Sequence, residues 1–270
     1  MEERTYVTPL GTIHYFVNIH DPAKLTLVFL PGLTADHRLF AEQIAFFQGK
    51  YNLLTWDAPA HGVSRPFELA FSLADKARYL HEIITKEQIT RPLLIGQSMG
   101  GYVSQAYMHY YPKTVAGFVS IDSAPLQKQY MAGWELWLLK RMEPVYRWYP
   151  WKLLLKSGSM GVAMSQEGRS LMRSFMESYS HEEYSRLAGH GYRILSSAIA
   201  LDLPYIIDAP AILICGEKDK AGSAKRYNIK WSQKTGLKLF MIPGAGHNAN
   251  CDAPEEVNDI IRDFINIIGR

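Results

Sequence analysis

Residues 93 to 105, LLIGQSMGGYVSQ, set a short apolar run directly against three glycines, Gly96, Gly100 and Gly101, grouped around Ser98. An apolar run of this length bounded by glycine reads as a strand covered on both faces. The residues after it read as a helix. Gly96, Ser98 and Gly100 satisfy G-x-S-x-G, a pattern in which the serine occupies a strained strand-to-helix turn and small neighbours prevent clashes. A plain connecting turn could use the same glycines, so Ser98 has to be weighed with the rest of the chain.

That strand has company. GTIHYFVNI (11–19) reads as an opening strand, and KLTLVFLPG (24–32), YNLLTWDAP (51–59), VAGFVSIDSAP (115–125), PAILICGEKD (210–219) and KLFMIPGAGH (238–247) read as further ones. Between them lie amphipathic stretches. SLADKARYLHEIITKE (72–87) puts Leu73, Ala77, Leu80 and Ile84 on one face with Ser72 as N-cap, and a last helix runs from Pro254 to about Ile268. The alternation predicts an α/β fold, a mostly parallel twisted sheet flanked by helices and joined by right-handed crossovers. Residues 126–203 break it, being rich in Trp, Tyr, Met and Leu at helical spacing without a buried β-run. They read as a helical insertion between a first core part (1–125) and a second (204–270), and they hold the basic excess of the chain.

Composition then excludes function classes. A chain of 270 residues, 47% hydrophobic and 20% charged, can bury a sizeable core. Its net charge of +3 comes from scattered Lys and Arg with no basic run, which argues against a nucleic-acid partner. Cys215 sits inside an apolar run and a chain of this size needs no disulfide, so Cys215 and Cys251 are expected as reduced thiols of a cytoplasmic protein. The N-terminus lacks a basic and then apolar leader, and no apolar stretch reaches about eighteen residues, so neither an export signal nor a membrane span is expected. Phosphate-cradling, zinc-protease and Cys/His metal patterns are missing, so no cofactor and no metal are expected.

A serine nucleophile needs a base and the base an orienting carboxylate. Of nine histidines, His247 alone stands in a glycine-rich turn, PGAGHN, after a late strand. His14, His20, His81, His109, His181 and His190 read as ordinary polar residues. Asp219 ends the preceding strand in CGEKDKAG, giving the chain order Ser98, Asp219, His247. Asp122, in SIDSAP, also ends a strand and is the alternative acid. Asp57 and His61, in DAPAHG, read as turn residues.

With these residues in that order, and with LPGLTAD and DAPAHGVS where they stand, the chain resembles the α/β-hydrolase superfamily over roughly 5–125 and 205–270. The resemblance implies a helical cap in place of the insertion, an acyl-enzyme on Ser98, and an oxyanion hole formed by the backbone N–H groups of Leu33 and Met99. Pro31-Gly32 stands where many relatives have His-Gly, so help from a histidine there is lost; His37 is the nearest substitute and reads as the start of a helix. A serine rather than an aspartate at the turn argues against epoxide opening and halide displacement. The implied activity is a carboxylesterase-like serine hydrolase. Thioester, lactone, amide or carbon–carbon cleavage, a cofactor-free lyase or perhydrolase, and a non-catalytic ligand-binding module stay open. So does the oligomeric state.

The insertion carries the substrate expectation. Trp134, Trp137, Trp148 and Trp151, four of the six tryptophans, fall within it together with Tyr130, Tyr146 and Tyr149, any of which could face a pocket, and Tyr130, Trp134 and Trp137 share a helix face. They could dock the cap on the core. Alternatively Trp134 and Trp137, with Met160 and Met164 and also Met172 and Met176, line an apolar pocket over Ser98 that adapts to a small or medium acyl group.

Overall fold

In the computed structural model, which describes residues 1–269, each expected strand forms and is shorter than its apolar run, because the run ends belong to turns. One strand was not foreseen. The order is β1 (Glu2–Thr8), β2 (Gly11–Asn18), β3 (Thr26–Leu30), α1 (Ala41–Phe47), β4 (Asn52–Trp56), α2 (Leu73–Lys86), β5 (Leu93–Gln97), α3 (Met99–Tyr110) and β6 (Gly117–Ile121). Five helices follow: α4 (Gly133–Leu139), α5 (Met142–Trp148), α6 (Trp151–Val162), α7 (Gln166–Glu177) and α8 (His181–Ala200). The chain closes with β7 (Ala211–Gly216), α9 (Ala224–Thr235), β8 (Lys238–Ile242), α10 (Ala249–Asp252) and α11 (Pro254–Ile268).

The strands form one sheet in the order β1-β2-β4-β3-β5-β6-β7-β8. The first two pairings, β1 with β2 and β2 with β4, are antiparallel, and the others are parallel. Apart from β8 at the sheet edge, the parallel strands are buried on both faces, which is why their sequences run apolar without alternation. Successive residues nonetheless serve different cores. Val28, Leu54 and Leu94 pack with α2 and α3 on one side, whereas Leu27, Phe29, Leu93 and Ile95 pack with α1 and α11 on the other.

Strand β1 escaped the sequence reading because EERTYVT shows exposed and half-buried positions and only Thr8 fully buried. Its ladder to β2 holds it, an interaction that apolar patterning does not report. Helix α2 begins as its sequence requires: Ser72 accepts the Asp75 N–H at 3.1 Å while Asp75 accepts the Ser72 N–H at 2.9 Å, a reciprocal cap. Among the described residues, no helix is long and apolar enough to cross a membrane.

Parallel strands all deliver their carboxyl ends to one rim, where an open α/β sheet presents its ligand crevice. Leu33, Ser98, Asp122, Asp219 and His247 all follow strand ends on that rim, and helices α4–α8 leave from it after β6.

Candidate active site

Ser98 is the single residue between β5 and α3. Its backbone lies at φ 48° and ψ −113°, a region that side chains rarely adopt and that costs roughly 1–3 kcal/mol. The surrounding glycines make that turn possible. A Cβ on Gly96 would lie 2.4 Å from the Gly100 carbonyl carbon, and one on Gly100 would lie 1.8 Å from the Leu30 oxygen. Strand and helix therefore cross at backbone contact, with Ser98 at the apex.

His247 Nε2 lies 2.9 Å from Ser98 Oγ, and Nδ1 of the same ring lies 3.0 Å from Asp219 Oδ2. The other Asp219 oxygen accepts the Ala221 N–H at 2.8 Å, which fixes the carboxylate plane. Burial pulls the imidazole pKa down, but the hydrogen bond and charge of Asp219, helped by the charge of Asp122, outweigh it and raise it above the ordinary 6.5. Gln97 steadies the histidine loop, donating from Nε2 to the His247 carbonyl at 2.8 Å and to Asn248 Oδ1 at 3.0 Å.

Asp122 stands close by with different bonds. Its Oδ1 accepts the Gly216 N–H at 2.7 Å and its Oδ2 the Ala249 N–H at 2.9 Å. It thus pins the end of β7 and the start of α10, the two segments that carry Asp219 and His247. Desolvation pushes its carboxyl up to about 8, opposed by His247 and by its two N–H donors.

Leu33 and Met99 flank the serine. Among the described residues neither backbone N–H has an acceptor within the protein, and a Cβ on Gly32 would lie 3.2 Å from Ser98 Cβ, so the two N–H groups belong to segments that meet at the serine. His37 does not join them. Its Nδ1 and its backbone N–H both bond Asp57 Oδ1 at 2.8 Å, while Val63 N–H takes Oδ2, so Asp57 and His37 brace the turn. Two side-chain groups, Asp36–His37–Asp57 and Asp122–Cys215–Asp219, have the proximity a metal would need. Their carboxylate oxygens are already engaged by Arg38, His37, Val63, Gly216, Ala249, Ala221 and His247.

A cavity of about 160 Å³ opens onto Ser98 and His247. Leu33 lines it from the core, Tyr146 from α5, Leu154, Gly158 and Val162 from α6, Met172 and Met176 from α7, and Tyr184, Ala188 and Tyr192 from α8. The expectation for Met172 and Met176 agrees with this lining. That for Trp134, Trp137, Met160 and Met164 is corrected. Trp134 and Trp137 are 66% and 58% exposed on the outside of α4, whose inward residue is Leu136. Met160 is 46% exposed on α6 opposite Leu154 and Leu155. Met164 lies at a turn, where its N–H donates to Asp252 at 2.9 Å and helps to tie the α6–α7 connection to the histidine loop, which sends the Gly246 N–H to the same carboxylate at 2.8 Å. Helical spacing groups residues on one face without saying which way that face points.

Tyr146 belongs to the aromatic window named from sequence, whereas the other two tyrosines of the pocket, Tyr184 and Tyr192, escaped notice. Tyr146 and Tyr192 are stacked within 3° of parallel and share a hydroxyl hydrogen bond of 3.3 Å, a pairing across α5 and α8 that no local pattern could reveal.

Comparison with known proteins bears on the family and the fold. Residues 27–260 match the model of the alpha/beta hydrolase family. An uncharacterized hydrolase of Bacillus subtilis, YugF, is 21% identical over 262 residues, covering 94% of this chain and 95% of its own. The (E)-2-((N-methylformamido)methylene)succinate hydrolase of Acinetobacter baylyi is 22% identical over 270 residues, covering 94% of each chain. Among solved structures, a thermophilic esterase from Thermogutta terrifontis superposes with a TM-score of 0.80 at 18% identity, covering 99% of both chains. An enol-lactonase from Burkholderia xenovorans gives 0.75 at 17%, covering 97% of this chain and 100% of its own. At these identities the structural likeness is one of fold.

Proposed function

The chain belongs to the alpha/beta hydrolase family, and on that premise we propose that it is a serine hydrolase that cleaves small to medium, largely apolar carboxylic esters through an acyl-enzyme on Ser98. The observation that carries this reading is the hydrogen-bonded sequence Ser98 Oγ, His247, Asp219 facing a cavity lined by aliphatic, methionine and tyrosine side chains.

In this reading His247 Nε2 takes the Ser98 proton as Oγ attacks the substrate carbonyl, and Asp219 stabilises the imidazolium and holds its tautomer. The Leu33 and Met99 N–H groups receive the oxyanion. His247 then hands its proton to the leaving alcohol, and water, activated by the same ring, releases the acid. Residues 126–203 act as the cap that closes the acyl pocket between the two core parts.

Substrate charge follows from the lining. Among the described residues no Lys or Arg lines the cavity, so a dicarboxylate such as the succinate named for the Acinetobacter relative would lie there uncompensated. Uncharged acyl groups fit the Leu, Val, Met and Ala surface, with the tyrosine hydroxyls available to a carbonyl or ether oxygen.

The test is a fluorophosphonate probe followed by peptide mapping, together with a screen of p-nitrophenyl esters. Adduct formation on Ser98 and a loss of several orders of magnitude in ester hydrolysis for a folded Ser98→Ala variant are expected. Labelling elsewhere, or a variant that keeps near-native turnover, would remove Ser98 from the reaction.

A further inference from the structure

The tryptophans that fail to line the pocket lie in the open. Trp134 and Trp137 on α4 are joined by Trp148 at the end of α5, which is 86% exposed, and by Leu153 and Met160 on α6, also exposed. Inward-facing Leu136, Tyr146, Leu154 and Leu155 already supply the packing of these helices, so the fold does not require the outward set. Large indoles concentrated on one segment of an otherwise polar surface mark an interaction site.

The charge of that segment is one-sided. Lys140, Arg141, Lys152 and Lys156 are exposed and form no ion pair among the described residues. Residues 134–160 contain two acids, and each is held by basic partners. Glu135 accepts from Arg226 at 2.9 Å and from Ser223 at 2.8 Å, and it bonds Tyr227. Glu143 lies between Arg147, at 3.3 Å, and Arg193, at 2.5 Å. The guanidinium of Arg141 sits 4.3 Å over the Trp137 ring. Beside it an open hollow of about 380 Å³ is lined by Lys140, Arg141, Arg147 and Arg193, with Glu143 at its wall and Trp148 at its edge.

We propose that the outer face of α4 and α5 docks on the surface of an anionic phospholipid bilayer, with the indoles in the headgroup region and the basic groups on lipid phosphates. Exposed indoles favour the membrane–water interface, and basic groups beside them are drawn to an anionic leaflet; the two together define a protein that lies on a bilayer without crossing it. Charge complementarity selects this partner. A second copy docked through the same face would set uncompensated cations against cations. Helices α5 and α6 line the Ser98 cavity with their inner faces, so docking brings the pocket to within one helix of the lipid. The surface works whether or not Ser98 is the nucleophile.

The experiment is co-sedimentation of the full chain with phosphatidylcholine vesicles and with vesicles containing about 30% phosphatidylglycerol, each at low and high salt. Trp137→Ala/Trp148→Ala and Lys140→Glu/Arg141→Glu variants run in parallel, and soluble p-nitrophenyl acetate reports the basal rate. Binding is expected to anionic vesicles only, weakened by salt, and at least ~tenfold weaker in each variant, with the soluble-ester rate within about twofold of wild type. Quenching of wild-type tryptophan fluorescence by brominated anionic lipid, but not by brominated phosphatidylcholine, makes the same test without any substitution. Wild-type protein left in the supernatant at low salt, equal binding to neutral vesicles, or unquenched fluorescence overturns the proposal. So does a dimer, seen by light scattering, that the tryptophan variant converts to monomer while vesicle binding is unchanged. Absence of ester hydrolysis in the wild type would count against the Ser98 reading and leave the vesicle result decisive on its own.

Discussion

Replacing Asp219 and Asp122 one at a time by asparagine separates two carboxylates that end neighbouring strands of the same sheet. In the native site Asp219 Oδ1 accepts from Ala221 N–H at 2.8 Å and Oδ2 faces His247 Nδ1 at 3.0 Å. Asparagine retains one oxygen. The Ala221 N–H requires an acceptor, so that oxygen stays with Ala221 and the amide NH₂ turns to His247. The ring must then present its lone pair at Nδ1 and its proton at Nε2, facing Ser98 Oγ, where a base is needed. The expected loss in kcat/KM is about 10⁴-fold, roughly 5.5 kcal/mol of transition-state stabilisation, with little change in melting temperature. Asp122 behaves in the opposite way. Both of its oxygens accept backbone N–H groups, so the amide of an Asp122→Asn variant must set its NH₂ against a buried N–H at one end. An orphaned donor costs about 1–3 kcal/mol, which lowers the melting temperature by roughly 2–9 °C in a chain of this size. Activity per folded molecule stays within about tenfold of wild type. The assay is p-nitrophenyl butyrate hydrolysis normalised to folded fraction, beside thermal unfolding of both variants. If Asp122→Asn is the more damaging to turnover at equal folded fraction, the orienting carboxylate is not Asp219 and the tautomer argument fails.

The same structure leads to three further expected outcomes. Because His247 must be neutral to accept a proton and its pKa is raised above 6.5, kcat/KM should fall on the acid side with a midpoint above 6.5; a midpoint below that value would refute the influence of Asp219 on the ring. The linkage to stability has the corresponding sign: the raised pKa contributes stability fully below the unfolded value near 6.5, and that contribution is lost as pH rises through the folded value. Ser72→Ala removes the cap of α2 and should cost about 1 kcal/mol in a denaturant titration with ester hydrolysis unchanged; an unchanged midpoint would show that the cap adds nothing. Gly158→Ala should raise helix stability by up to about 1 kcal/mol. Its new Cβ would come within 2.7 Å of Met176 Cε, pushing that flexible side chain within the cavity at Ser98, so the preferred p-nitrophenyl ester should shorten; a preference that stays put or lengthens would place the acyl group elsewhere.

The residues legible from sequence are those whose role is written into local backbone chemistry. Glycines at 96 and 100 are demanded by a strand and helix that touch, Ser72 by the free N–H groups of a helix start, and the apolar runs by strands buried on both faces. These requirements act over a few residues, so the succession of strands β2 to β8 along the chain, the turn carrying Ser98 and the histidine loop could be read in one dimension. Strand β1 lay beyond that reach, since a cross-strand ladder at a sheet edge leaves no apolar period. Two choices belonged to the tertiary structure. Asp122 and Asp219 end adjacent strands and carry the same chemistry; what separates them is that backbone N–H groups from β7 and α10 occupy both oxygens of the first, leaving one oxygen of the second for His247. Trp134 and Trp137 share a helix face with the right period to line a pocket, yet α4 turns Leu136 inward and leaves both indoles to solvent. A helical period fixes relative angles around one axis. Only packing against the neighbouring helices sets the absolute rotation of that axis, and with it which face meets the substrate and which meets the outside.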